Sequence, residues 1–160
     1  MTGGDIVGRP RALVIGVGNP YRRDDAAGLI AARRLYEAAR GTVTLRESTG
    51  EGTSLIEMWE GAGAVIVIDA VSSEGRPGTI YRLDAYAHPL PQSLFRSSTH
   101  AVTVADAIEL ARALNRLPAR LVVFGVEGKE FGAGVGLSSE VIRGVDEIVR
   151  WGLEELGIDS

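Results

Sequence analysis

The chain has 160 residues, 45% of them hydrophobic and 24% charged, with a formal net charge of −4 and no cysteine. That length fits one domain with a sizeable core, and the mild charge gives no electrostatic reason to expect nucleic acid or an anionic membrane as partner. The absence of cysteine rules out thiolate catalysis, disulfides, iron–sulfur clusters and cysteine-held zinc, so oxygen and imidazole must hold any metal.

Residues 1–11 are polar and glycine-rich, the pattern of a flexible N-terminal extension rather than of a signal peptide. The longest apolar runs are strand-sized and far short of a membrane span, so the expected location is the cytoplasm. Ala12–Ile15 is a continuous apolar run ending at Gly16, as in a strand buried on both faces. Residues 24–40 read as a helix with a stripe of Ala27, Ala31, Leu35 and Ala38, charged residues opposite, and Gly41 at its end. A weakly alternating strand is expected over 42–47. Ser54-x-x-Glu57 has the form of a capping box opening a helix through Leu55, Ile56 and Trp59.

Ala64–Ala70 is the clearest buried strand, and it ends in Asp69-Ala70. Residues 78–83 read as an antiparallel edge strand behind the turn Gly75-Arg-Pro-Gly78. Thr103-x-x-Asp106 caps a helix using Ala107, Leu110, Ala111 and Leu114. Leu121–Val126 is a further parallel-type strand, followed by a glycine-rich loop and a closing helix over 138–156. Alternating strands and helices predict a single three-layer α/β/α domain with a mostly parallel, twisted sheet. Ligands of such sheets bind outside the carboxyl ends of the strands, which selects the polar residues that follow strands.

Gly16-Val-Gly18-Asn19-Pro20 and the acids Asp24 and Asp25 follow the first strand. A dinucleotide loop fits poorly here: position 21 is Tyr where a third glycine belongs, and Pro20 removes an amide a phosphate would use. The segment is better suited to aiming carboxylates. Either acid has a simpler reading as a helix cap, although one cap does not need two adjacent acids. Asp69 ends an apolar run, where a charge is costly unless paired or ligating. Of two histidines, His88 sits in a proline-rich loop and His100 just ahead of a capped helix. Two aspartates and a histidine without thiolates suit nickel or zinc, but spacing alone does not bring three separate loops together.

These segments resemble the hydrogenase maturation endopeptidases. The resemblance rests on Gly16-x-Gly-Asn-x-x-x-x-Asp-Asp25, Val-Ile-Val-Ile-Asp69-Ala, Ser98-Thr-His100, and Gly125-Val-Glu127 before a glycine-rich turn, in this order over roughly residues 12–150. It implies a nickel-dependent endopeptidase that removes a C-terminal extension from a [NiFe]-hydrogenase large-subunit precursor. The metal-contacting positions it implies are Asp25, Asp69 and His100, with nickel delivered by the substrate and other divalent metals able to occupy the site. Asp25 is a Glu in some members, and Ala26-Ala-Gly28 replaces a Gly that often follows this acid. No serine, cysteine or His-Glu-x-x-His centre is apparent, so the expected attack is by water near the nickel, with Asp24 or Asp25 as base. Two other readings are a metal-dependent hydrolase of small molecules, which predicts turnover without a precursor, and a non-catalytic metal or chaperone module, which predicts binding without cleavage.

Overall fold

A computed structural model describes residues 11–49, 54–87, 89–91, 94 and 103–158. Five strands form one sheet: β1 (Ala12–Val17), β2 (Val43–Ser48), β3 (Ala64–Val71), β4 (Ile80–Asp84) and β5 (Arg120–Glu127). Four α-helices are described with them: α1 (Ala27–Ala38), α2 (Ser54–Met58), α3 (Val104–Ala113) and α4 (Ser139–Leu156). The strand order is β2-β1-β3-β5-β4, with every pairing parallel except that of β4 on β5. The predicted three-layer architecture and antiparallel edge strand are therefore present. Much of the expected N-terminal extension, residues 1–10, lies outside the described residues.

The central strands are apolar on both faces because both faces are covered. Leu13, Ile15, Val65, Val67, Leu121 and Val123 pack under α2 and α3 with Leu55, Trp59, Ala107 and Ile108. The alternate residues Val14, Ile66, Ile68, Val122 and Phe124 pack under α1 and α4 with Ala31, Leu35, Val145 and Ile148. Each such large side chain removed from water stabilises the fold by about 1.5–3 kcal/mol before entropy is counted. The α3 box forms as expected: Thr103 Oγ1 accepts from Asp106 N at 3.1 Å, and Asp106 Oδ2 accepts from Thr103 N at 3.1 Å.

One expected helix start differs. Residues 23–26 wind as a 3-10 turn and the α-helix begins only at Ala27; its cap position is Ala26, with no side-chain cap bond. Neither Asp24 nor Asp25 caps α1. The helix expected through Leu55 and Ile56 is described from Ser54, whose hydroxyl lies 3.3 Å from that of Ser48; residues 50–53 before it lie outside the described residues. At Asp24 distant partners took the side chain that the local pattern assigned to a cap.

The approach of α1 to the sheet positions everything at its carboxyl end. A Cβ on Gly28 would lie 2.4 Å from the carbonyl oxygens of both Val17 and Ile68, and 3.0 Å from Asp69 Cα. A Cβ on Gly18, whose φ is +153°, would lie 2.0 Å from the Asp25 carbonyl oxygen. Glycine at these two positions lets the helix start rest on the ends of β1 and β3.

Candidate active site

Four acidic groups are buried at this end of the molecule: Asp24, Asp25, Asp69 and Glu127. Asp24 and Asp25 share the 3-10 turn yet serve different neighbours. Asp24 Oδ2 accepts from the amides of Lys129 and Glu130, both at 2.8 Å, and from the Ser138 hydroxyl at 2.8 Å. Its Oδ1 accepts from the Ser138 amide at 2.7 Å. Burial raises the Asp24 pKa, but the bonds from Ser138, Glu130 and Lys129 outweigh it and hold the carboxylate below its ordinary range. This aspartate ties the loop after β5 to the turn. Arg23 N and Asp24 N donate to the Gly134 and Glu130 carbonyls along the same seam.

Asp25 faces the opposite way. Its Oδ2 accepts from Asn19 N at 2.9 Å, closing the Gly16–Asn19 exit from β1 over the carboxylate. Beside it, at the end of β3, stands Asp69. Burial, and then the Asp25 charge, push the Asp69 pKa well above the usual carboxylate value, against a lowering by the Ala70 backbone. Among the described residues Asp69 makes no ion pair. The two carboxyl groups thus oppose ionisation at Asp69.

The fold thus brings Asp25 and Asp69 together from two strand ends, with Asp24 directed away into the loop. His100 and His88 lie outside the described residues. Among the described residues no group of three His, Cys, Asp or Glu side chains forms a metal cluster. Glu47, near the end of β2, pairs with Arg33 on the surface. The sequence reading left Glu127 without a role, although it is 1% exposed. Its position at the end of an apolar strand is the same signal that selected Asp69.

A family model described as hydrogenase maturation protease matches residues 31–155. The chain belongs to the hydrogenase maturation protease family. Its relatives include the hydrogenase expression/formation protein HupD of Rhodobacter capsulatus, 28% identical over 155 residues, covering 90% of this chain and 74% of that protein. A putative hydrogenase maturation protease of Methanocaldococcus jannaschii is 28% identical over 152 residues and is covered over 95% of its length. Among solved structures, the [NiFe] hydrogenase maturation protease HybD of Thermococcus kodakarensis superposes with a TM-score of 0.66 at 25% identity, over 91% of this chain and 99% of that one. The hydrogenase-maturating endopeptidase HybD of E. coli shares the fold with a TM-score of 0.73 at 23% identity, over 92% of each chain. The family match begins inside α1, so the Gly16–Asp25 turn lies just upstream of the matched span. As a member of a maturation protease family the chain is an endopeptidase. Asp25 and Asp69 lie at the carboxyl end of its parallel strands, where ligands of such sheets bind. Among the described residues no helix is long and apolar enough to cross a membrane.

Proposed function

We propose that the protein recognises nickel carried by a [NiFe]-hydrogenase large-subunit precursor and removes the precursor's C-terminal extension, with Asp25, Asp69 and His100 facing the ion. The observation that carries this reading is the buried Asp25–Asp69 pair, in which each negative charge disfavours the other. A divalent cation relieves that repulsion and favours the ionised carboxylates, so the pair is suited to an incoming metal. Oxygen and imidazole donors with no thiolate of their own fit nickel or another borderline ion. They also leave coordination positions for donors from the substrate. The names of the relatives, which concern hydrogenase formation and maturation, support a hydrogenase precursor as the partner.

The substrate's nickel would polarise a water or the scissile carbonyl. Asp25 is the better base because Asp24 already accepts four hydrogen bonds within the fold. Asn19 N orients the Asp25 carboxylate, and burial beside Asp25 disfavours the charged form of Asp69. The test is a gel assay on nickel-loaded precursor. Asp25→Asn, Asp69→Asn and His100→Ala should each stop conversion to the shorter form while circular dichroism stays native. Full processing by all three variants would overturn the site, and equal cleavage of a nickel-free precursor would overturn the role of the metal. Capture of the precursor by wild-type protein without cleavage would mark a chaperone instead.

A further inference from the structure

Glu127 is a buried acid, 1% exposed, to which that reading gives no part. It ends β5, where Val71↔Glu127 and Asp69↔Gly125 are register partners, so it occupies the same sheet face as Asp69, one diagonal step away. Its Oε2 accepts from Ser73 N at 2.7 Å, and its Oε1 accepts from Ser73 Oγ at 2.5 Å and Tyr81 Oη at 2.9 Å. Its backbone accepts from Gly78 N at 2.8 Å and donates to the Thr79 carbonyl at 2.8 Å. All five partners belong to the loop from β3 to β4 or to the start of β4. A Cβ on Gly75 would lie 3.0 Å from Glu127 Oε1 and 2.7 Å from Tyr81 Oη, so the loop closes directly over the carboxylate. The next residue, Gly128, donates its amide to Val71 O at 2.9 Å, and Lys129 and Glu130 then bind Asp24. Residues 127–130 therefore form one continuous strap from the strand end that carries Asp69 to the turn that carries Asp25.

We propose that Glu127 is a positioning residue of the endopeptidase: its carboxylate fixes the β3–β4 loop, and with it the end of β3 and the placement of Asp69 opposite Asp25. The inference rests on the Asp25–Asp69 reading of the site. It assigns Glu127 no contact with substrate or ion. A carboxylate is needed because it accepts three donors at once, including two from the same serine. A glutamine keeps one acceptor oxygen and turns an N–H toward a donor.

The experiment compares the full-length wild type, Glu127→Ala, Glu127→Gln, Tyr81→Phe and Ile148→Val. Ile148 is a buried residue of α4 in the opposite core and serves as a control for a modest loss of stability. Nickel ion alone is titrated calorimetrically, kcat and KM are measured on nickel-loaded precursor, and amide exchange is followed at Ser73 and Gly78. For Glu127→Ala, nickel affinity should fall about tenfold and kcat about 10²-fold, with KM changed little. Glu127→Gln should fall between, Tyr81→Phe should remain near wild type, and Ile148→Val should leave nickel affinity and kcat unchanged. Exchange at Ser73 and Gly78 should quicken in both Glu127 variants. If Glu127→Ala does not fold, Glu127→Gln decides by the same measurements. Nickel affinity and kcat in the Glu127 variants equal to those of Ile148→Val would overturn the positioning role alone. A wild type that neither binds nickel nor processes the precursor would overturn the site reading and this inference together.

Discussion

Asp24 and Asp69 are both buried aspartates, and their surroundings push them in opposite directions. Asp24 is held ionised by three amides and a hydroxyl, so its folded pKa lies below the unfolded value. Its stabilisation is full above the unfolded value of about 4 and is lost as pH falls through the lower folded value. Asp24→Asn should cost roughly 3 kcal/mol in urea unfolding at pH 7, because an amide NH2 is set against buried donors. Asp69 is the reverse. Its folded pKa is raised, so its contribution is favourable below the unfolded value and is lost as pH rises through the folded one. Asp69→Asn should therefore raise the melting temperature at neutral pH while it stops precursor processing; a lower melting temperature would contradict the burial penalty. Destabilisation kept in place at a strand end is the pattern expected of a group retained for function. Asp69 was selected from sequence by its burial cost, whereas the division of labour between Asp24 and Asp25 depends on which loop each carboxylate meets.

Elements explain why the pair exists. The start of α1 lies on the ends of β1 and β3, and Gly28 is the point of contact. Gly28→Ala would force a Cβ to within 2.4 Å of two carbonyl oxygens, so the helix must lift from the sheet. Thermal unfolding should register a loss of several kcal/mol, toward the upper end for single substitutions, and nickel affinity should fall with it. Gly41→Ala is the matched control: its Cβ would meet nothing within 4 Å, although its φ of +82° adds modest strain. The glycines of Gly16-x-Gly18 thus serve helix–strand packing rather than a phosphate cradle. Helix stripes, the α3 capping box and the β4 turn were legible in sequence because each depends on residues within a few positions. The 3-10 turn at 23–26 was not, because its geometry follows from bonds to residues more than a hundred positions away.

At the scale of the molecule, two cores share one sheet. Trp59, whose Nε1 donates to Arg116 O at 3.0 Å, reports the α2–α3 side. Trp151, edge-on to Phe124 with centroids 6.3 Å apart, reports the α1–α4 side. Since β3 and β5 belong to both cores, single-tryptophan variants Trp59→Phe and Trp151→Phe should unfold in urea with coincident midpoints once corrected for each substitution. Separate midpoints would show that the two faces are independent units. The sequence by itself determined the three-layer α/β architecture, the antiparallel edge strand, the exclusion of thiol chemistry and the burial cost carried by Asp69. Each of these follows from local periodicity, from composition, or from the cost of placing a charge after an apolar strand. Only the tertiary structure decided that Asp24 ties the β5–α4 loop, that Asp25 meets Asp69, and that Glu127 closes over the β3–β4 loop. Those contacts join distant segments, and a parallel sheet settles them through strand order and register, which no local pattern encodes.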